Sequence, residues 1–351
     1  MKADSYLEID PRYILDTINK IHDKNVKDIT ITPLLGDASD RRYYRILFGS
    51  AGVKDEIQRS VIVIKLKEPY QSGEPPFLNI QRYLKKCRIP VPDVFYYDRK
   101  RGLIFLEDLG PMTLEERLKR EKKSVKVKFY KRAIDLLLKM QVSGDKTDRK
   151  ECVAYSLEFD VEKLMWELDF FMTHMIEGLL QKRIKKEDRE KIRNNFLNII
   201  NILTKEKKVF THRDYHGRNI MVKNDKLGIV DFQDARMGLC QYDLASLLRD
   251  SYLVLEDKVR EELIDYYIRE KERIEKIRID RDEFLRLFDY MSIQRNLKAV
   301  GTFSYQKVCK NNDRYLPYID NTLLYVDTNL KKYKEFKELR RILSKYIKEL
   351  S

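Results

Sequence analysis

The sequence predicts an α+β fold with two lobes: an N-terminal lobe built on an antiparallel β-sheet and a larger, helix-rich C-terminal lobe. Short runs rich in β-branched residues, such as Ile29–Leu34, fall within the first 107 residues. Apolar residues at helical spacing dominate the remainder. Between these parts, a strand pattern that ends at Glu107 meets Gly110 and Pro111, which interrupt regular structure. We therefore divide the chain into a first lobe, a hinge and a second lobe at residues 1–106, 107–111 and 112–351.

Each element of the N-terminal lobe has its own signal. Asp10 and Pro11 supply an N-cap and a first-turn proline, and Ile14 and Ile18 follow at helical spacing. Strands are predicted where apolar residues alternate or cluster, and a second helix follows a proline pair. The predicted strands are Ile29–Leu34, 41–48, 61–66 and Leu103–Glu107, and the second helix is 77–86.

The C-terminal lobe is predicted as a series of helices interrupted by one hairpin. Two short apolar runs, 220–222 and 227–230, are separated by the polar turn residues 223–226, which is typical of a β-hairpin. The helical patterns cover 113–119, 129–141, 160–180, a charged segment before Val209, 242–250, and four further segments up to residue 350.

The composition indicates a soluble globular protein. Of 351 residues, 43 % are hydrophobic and 36 % charged, and no apolar run approaches the ~20 residues of a membrane span. The N-terminus lacks an export signal, and the four scattered cysteines have no metal-binding spacing, so we expect a cytoplasmic protein with reduced thiols. The net charge of +14 arises from basic residues interleaved with acidic ones, which disfavours a nucleic-acid-binding tract.

The most specific motif is His212-Arg213-Asp214 followed by Asn219, which matches the H-R-D-x-x-x-x-N catalytic loop of kinases. Asp231 follows at the end of the second hairpin strand. Phosphoryl transfer requires a group that orients the attacking hydroxyl and a divalent metal that neutralises charge on the phosphates. We predict that Asp214 accepts the hydroxyl proton and that Asn219 and Asp231 bind Mg²⁺. The alternative, that these residues are solvated turn formers, is disfavoured by their number and spacing.

Two segments of the N-terminal lobe are candidates for ATP binding. A small-residue turn between two strands can place backbone N–H groups near phosphates, although a lone glycine is also typical of a simple hairpin. The hinge backbone can form hydrogen bonds with an adenine. The candidate residues are Gly36, Asp37, Ala38 and Ser39 in the turn, and Glu107 and Leu109 at the hinge.

Lys65 interrupts an apolar strand run and has two interpretations. It lies where kinases place the lysine that contacts the α- and β-phosphates of ATP. The alternative is a strand-end lysine whose ammonium extends into water. The predicted helix 77–86 contains no glutamate to pair with this lysine, and Glu74 is the nearest substitute.

The segment after Asp231 bears on the acceptor. Protein kinases carry a long activation segment and an A-P-E motif there, whereas here only eleven residues separate Asp231 from Asp243 and no A-P-E occurs. The acceptor is therefore predicted to be a small molecule. Arg213 then has no phosphorylated loop to hold and is available for substrate or structure.

Six stretches together resemble the aminoglycoside phosphotransferase-type kinases, and most closely their branch of bacterial anomeric N-acetylmuramate/N-acetylglucosamine kinases of cell-wall recycling. The resemblance extends from about residue 30 to 335. The catalytic motifs are shared by many specificities, whereas Gly-Asp-Ala-Ser, Asp-Phe-Gln-Asp-Ala and Gln-Arg-Asn-Leu-Lys are typical of the sugar-kinase branch. The six stretches are 35–45, 106–110, 211–219, 228–235, 242–250 and 293–303.

The resemblance implies a two-lobed protein-kinase-like fold, ATP and Mg²⁺ as cofactors, and transfer of phosphate to the C1 hydroxyl of an amino sugar. It also implies that Asp214 is the catalytic aspartate and that Asn219 and Asp231 are metal ligands. Two departures stand out: branch members tend to lack a lysine at the position of Lys65, and Asn296 stands where histidine is frequent.

The acceptor is expected to contact residues near these motifs. Arg295 could bind a lactyl carboxylate through two parallel hydrogen bonds, or could instead bridge two helices. A kinase of another small alcohol, such as an aminoglycoside or choline, and a non-catalytic nucleotide- or RNA-binding protein remain the alternatives. The candidate acceptor residues are Arg213, Gln233, Arg295 and Asn296.

Overall fold

The computed structural model describes residues 8–22, 26–34, 41–49, 59–143 and 149–350. The chain divides into two units: unit 1 contains residues 1–78 and 91–111, and unit 2 contains residues 79–90 and 112–351. Residues 79–90, which the sequence-based division placed in the N-terminal lobe, therefore group with unit 2.

Unit 1 is built on a five-stranded antiparallel sheet with the strand order β1-β2-β3-β5-β4. The expected strands are present, and β4 is an additional strand that the sequence analysis did not predict. The elements are α1 (Pro11–His22), β1 (Ile29–Leu34), β2 (Arg42–Phe48), β3 (Arg59–Lys65), β4 (Val94–Asp98) and β5 (Leu103–Glu107).

Alternation along the central strands defines the two faces of this sheet. Val61 and Val63 on β3 are fully buried and belong to one apolar cluster with Ile14 and Ile18 of α1. Because side chains alternate along a strand, Lys65 lies on this same face. Arg45 on β2 is opposite Ile62 in the register and therefore lies on the other face.

Unit 2 is predominantly helical, as expected, and it contains two small antiparallel ladders, β6–β9 and β7–β8. The helix α2 (Pro76–Lys86) crosses the boundary between the units. The remaining elements are α3 (Leu114–Leu118), α4 (Lys123–Ser143), α5 (Val161–Phe171), α6 (Lys186–Leu203), β6 (Lys208–Thr211), β7 (Ile220–Lys223), β8 (Lys226–Ile229), β9 (Arg236–Leu239), α7 (Cys240–Leu248), α8 (Asp257–Glu275), α9 (Arg281–Lys310), α10 (Ile319–Lys332) and α11 (Lys337–Leu343).

The 30-residue helix α9 is the centre of unit 2, and its residues are buried along most of its length. Its apolar side chains share one large core cluster with α5, α6 and α10. At Gly301 the helix approaches α5 closely, because a Cβ atom there would lie 2.8 Å from the Cα of Phe171. The close approach allows polar side chains of α5 and α9 to meet.

The hairpin β7–β8 has the predicted register, with Lys223 opposite Lys226. Its two turn residues, Asn224 and Asp225, have φ values of 50° and 58°, as a type I′ turn requires. The ladder continues as a hydrogen bond from the Val230 N–H to the Asn219 carbonyl, at 3.1 Å. The two ends of the hairpin therefore lie together. No helix in the described ranges is long and apolar enough to cross a membrane.

Candidate active site

The catalytic loop is anchored to α7 and to the residues that follow it. Asp243 is fully buried, and its carboxylate accepts the backbone N–H groups of His212 (2.6 Å) and Arg213 (3.0 Å). Asp250 accepts the N–H of Gly217 at 2.9 Å. Burial raises the pKa of Asp243 to about 7 and that of Asp250 to about 6, although these N–H donors oppose the shift. Arg213 itself adopts φ 84°, a conformation that non-glycine residues rarely populate.

His212 connects the loop to the end of the hairpin. Its Nδ1 accepts the Asp214 N–H at 3.3 Å, which assigns the ring proton to Nε2, and Nε2 donates to the Val230 carbonyl at 3.0 Å. The side chain is fully buried, and burial lowers the pKa of His212 to about 4. The imidazole is therefore neutral at physiological pH and serves to orient Asp214.

Asp214, the predicted catalytic aspartate, forms an ion pair with Lys298 of α9. The distance from Lys298 Nζ to Asp214 Oδ1 is 2.9 Å. Burial raises the pKa of Asp214, but the charges of Lys298 and Arg213 outweigh it and hold this pKa below its usual range. The carboxylate is therefore ionised and able to accept a hydrogen bond from an acceptor hydroxyl.

Asn219 and Asp231, the predicted metal ligands, lie next to Asp214. The Asn219 amide nitrogen donates to the Asp214 carbonyl (3.0 Å) and to Asp231 Oδ2 (3.3 Å), and neither bond uses its amide oxygen. Gln233 donates to the other Asp231 oxygen at 2.7 Å. Asp231 adopts φ 64°, which marks a constrained position at the end of the hairpin.

The donor set at this position fits Mg²⁺. Mg²⁺ binds hard oxygen ligands and commonly uses one or two carboxylates together with the phosphates of a nucleotide. The carboxylate of Asp231 and the amide oxygen of Asn219 are such ligands. Across the part of the chain that the structure describes, no group of three or more His, Cys, Asp or Glu side chains could hold a metal ion. A metal ion at this position would therefore need further ligands, such as the phosphates of a nucleotide.

Arg213 lies between two carboxylates without a close contact to either. Its guanidinium is 3.5 Å from Asp234 and 4.0 Å from Glu167, and its Nε has no hydrogen-bond partner among the described residues. The pKa of Lys163 is lowered by burial, and its nearby charges are the carboxylate of Glu167 and the cations Arg213, Arg236 and Lys298. Of these cations, Lys298 and Arg213 act on Asp214 itself.

The other two predicted acceptor residues, Arg295 and Asn296, lie deeper in α9. Arg295 is only 4 % exposed, and its Nε donates to the Ser246 hydroxyl of α7 at 2.8 Å. Asn296 is fully buried, and its side-chain amide has no hydrogen-bond partner within the described ranges. The position of Arg295 favours the interpretation in which it bridges two helices.

Lys65, in unit 1, lies at the end of β3, and its ammonium donates to the Arg101 carbonyl at 2.6 Å. In the described part of unit 1, no carboxylate forms an ion pair with it. Because Lys65 shares a face with Val61 and Val63, this placement favours the strand-end interpretation over phosphate binding.

The hinge segment is held to β2 by a residue that the sequence analysis missed. Arg45 forms two hydrogen bonds with Asp108, at 2.7 and 3.1 Å, and a third with the Gly110 carbonyl at 3.0 Å. Glu107 and Leu109, the predicted adenine-binding residues, flank this contact and are half-buried. The turn residues Gly36, Asp37, Ala38 and Ser39 lie outside the described residues.

Lys298 is the most important site residue that the sequence analysis did not single out. It belongs to the Gln-Arg-Asn-Leu-Lys stretch and follows Gln294 by four residues, so both lie on one face of a helix. This spacing could have indicated a polar face directed at the catalytic loop, but the partner of that face depends on tertiary packing.

Comparison with known proteins places this chain among phosphotransferases. It is 29 % identical over 320 residues to an N-acetylmuramate/N-acetylglucosamine kinase of Neisseria meningitidis, which covers 90 % of both chains. It is 26 % identical to the enzyme of the same name from Pseudomonas aeruginosa, over 90 % of this chain and 88 % of the other.

Solved structures support the same fold at low sequence identity. A choline kinase from Cryptosporidium parvum matches with a TM-score of 0.60 at 12 % identity, covering 95 % of this chain and 98 % of that one. A gentamicin complex of APH(2")-IIa also matches with a TM-score of 0.60, at 16 % identity, covering 90 % and 97 %. The fold is therefore the two-lobed protein-kinase-like α+β fold. Because the profile of the phosphotransferase enzyme family matches residues 30–277, the chain belongs to that family and is a phosphotransferase that acts on a hydroxyl group of a small molecule.

Proposed function

We propose that this enzyme uses ATP and Mg²⁺ to phosphorylate the anomeric C1 hydroxyl of N-acetylmuramate and N-acetylglucosamine. The observation that carries the proposal is the ionised Asp214 beside Asn219 and Asp231, in a chain that matches kinases of that name over 90 % of its length. As an ATP-dependent enzyme it would act in the cytoplasm.

The charge around Asp214 suits an anomeric hydroxyl. Lys298 and Arg213 weaken the carboxylate as a base. A hemiacetal hydroxyl is more acidic than an ordinary alcohol, so a weak base can still accept its proton as the new O–P bond forms. In the loose transition state of phosphoryl transfer, Asp214 contributes mainly by aligning the hydroxyl.

Asn219 and Asp231 would hold Mg²⁺, which neutralises charge on the phosphate oxygens when it is bound. The amide donors of Asn219 and Gln233 fix the Asp231 carboxylate, so its orientation is set before ligands arrive. We assign the turn 36–39 to the phosphates and the backbone at Glu107 and Leu109 to the adenine. Among the residues assigned to ATP, Lys65 has the least structural support, because its ammonium donates to the Arg101 carbonyl.

The cationic surroundings of Asp214 support a neutral or anionic acceptor. Lys298 and Arg213, whose charges act on Asp214, would repel the ammonium groups of an aminoglycoside or of choline. An N-acetylated sugar carries no such charge, and N-acetylmuramate adds a carboxylate that these side chains would attract.

An acceptor panel tests the proposal. ADP release and product identity are measured with ATP, Mg²⁺ and one acceptor at a time: N-acetylmuramate, N-acetylglucosamine, glucosamine, kanamycin or choline. Phosphate should appear at C1 of the two N-acetylated sugars. The methyl glycoside of N-acetylglucosamine, whose C1 oxygen is blocked, should be inert. Phosphorylation of the methyl glycoside, or turnover of kanamycin or choline alone, would contradict the assignment.

A further inference from the structure

Three buried polar atoms beside the catalytic loop have no hydrogen-bond partner among the described residues. They are Glu167 Oε1 on α5, Gln294 Oε1 on α9 and Arg213 Nε. Glu167 is 1 % exposed and Gln294 is fully buried. Buried polar atoms are rarely left without a partner, and an exception calls for an explanation such as a ligand.

The position of this cluster relative to Asp214 follows from the geometry of α9. Gln294 donates its amide to Glu167 Oε2 at 2.9 Å, and Lys298, four residues later on the same face, contacts Asp214. Four residues of α-helix advance about 6 Å. Gln294 therefore lies about one helical turn along α9 from Lys298, the residue that contacts Asp214. Hydroxyls on opposite sides of one pyranose ring have a comparable separation.

Arg213 faces Glu167 in this cluster. Its guanidinium is 4.0 Å from Glu167 and 3.5 Å from Asp234, which is exposed, and it forms no hydrogen bond with either carboxylate. Its Nε–H group has no hydrogen-bond partner among the described residues and can donate to an oxygen atom of a ligand.

We propose that Glu167 and Gln294 bind the sugar hydroxyls opposite the reacting C1 hydroxyl, O4 and O6, while Arg213 donates to an acceptor oxygen. This inference rests on the proposed function and adds the subsite that recognises the sugar ring. The carboxylate oxygen and the amide oxygen need donors, and sugar hydroxyls supply them. The pair O4 and O6 is chosen because O3 carries the lactyl ether in N-acetylmuramate.

The first test uses the unmodified enzyme. KM and kcat are measured for N-acetylglucosamine and for its 4-deoxy and 6-deoxy analogues. At least one analogue should lose about tenfold or more in kcat/KM, because a buried partner is left unpaired. If the parent sugar and both analogues react equally well, this subsite is overturned while the proposed function stands. If the parent sugar is not phosphorylated, both are overturned.

The second test uses Glu167→Gln. This change should lower kcat/KM for the parent sugar about tenfold and leave the KM for ATP unchanged. For the deoxy analogue that lacks the interacting hydroxyl, Glu167→Gln should lower kcat/KM by less than about threefold, because the interaction is already absent. The control is Asp289→Asn, at a buried carboxylate on α9, the helix of Gln294, that is fully engaged by Arg249, Lys332 and Tyr333. It should lower the melting temperature without changing the acceptor KM. If Glu167→Gln lowers kcat/KM by the same factor for the parent sugar and for both analogues, the subsite is overturned.

Discussion

At the scale of single residues, the proposed function gives the ion pair between Asp214 and Lys298 a direct role in catalysis. The Lys298 ammonium lies 2.9 Å from the carboxylate to which the proposal brings the acceptor hydroxyl. We expect Lys298→Met to lower kcat about 10²-fold, because a positive charge near the transferred phosphoryl group is lost. Initial-rate kinetics at saturating ATP measure this loss.

Two further variants separate this role from a structural one. Lys298→Arg keeps the charge and should recover part of kcat. Lys307→Met removes a lysine on the same helix whose partner is Asp313, and it should leave kcat unchanged. The catalytic role would be wrong if Lys298→Met reduced only the melting temperature.

Asp214 is the residue for which the sequence motif and the geometry agree most fully. Asp214→Asn keeps the size of the side chain but removes the proton acceptor. Turnover should fall by about 10²–10⁴, the usual contribution of a general base, while nucleotide binding persists. Isothermal titration with ADP and a turnover assay measure the two effects. Unchanged turnover would rule out the assignment.

At the scale of elements, the close contact of α5 with α9 positions Glu167 against Gln294. In Gly301→Ala, the new methyl group would lie 2.8 Å from Phe171 Cα and 3.1 Å from its nitrogen. Since backbone atoms cannot rotate away, the helices must separate, at a cost of about 1–3 kcal/mol. Thermal unfolding should show a lower midpoint, and the KM for the acceptor should rise. Gly49→Ala, where a Cβ meets nothing within 4 Å, is the control and should change neither quantity.

The contact of α7 with α9 bears on the role of Arg295. Arg295→Lys keeps the charge but loses the donor to Ser246. We expect a lower melting temperature and no change in the ratio of kcat/KM between N-acetylmuramate and N-acetylglucosamine. If the variant weakens N-acetylmuramate several-fold more than N-acetylglucosamine, Arg295 contacts the lactyl carboxylate instead.

Elements with strong local signals were predictable from the sequence. The hairpin β7–β8 and the four final helices follow from turn chemistry and helical periodicity. The strands β4, β6 and β9 were not predicted, because they have only four or five residues. β6 and β9 are stabilised by pairing with each other across a long stretch of sequence, and β4 pairs with the neighbouring β5 through an irregular register. Similarly, α4 begins at Lys123, six residues before its apolar repeat becomes clear.

At the scale of the whole molecule, the proximity of the candidate site residues was predictable where one short segment carries them. Asp214, Asn219 and Asp231 lie within 18 residues of the chain, so their spacing defines their geometry. Lys298, Glu167 and Arg45 reach their partners only through long-range packing. Lys65 shows that a match in sequence position is not sufficient. It stands where kinases place their phosphate-contacting lysine, but this position did not determine which way its side chain points.

The stability of the folded protein should depend on pH through His212. The pKa of its buried imidazole is about 4, against an ordinary value of 6.5, so the unfolded chain binds the proton more readily. Above pH 6.5, the neutral His212 therefore contributes about 3 kcal/mol to the free energy of unfolding. This contribution is lost as the pH falls toward 4. Urea midpoints of the wild type and of His212→Asn should be compared at several pH values between 4.5 and 7. The wild-type midpoint should fall more steeply on acidification, because the variant has no imidazole to protonate. Parallel curves would show that the loop tolerates a charged His212 and that protonation of other groups governs unfolding in acid.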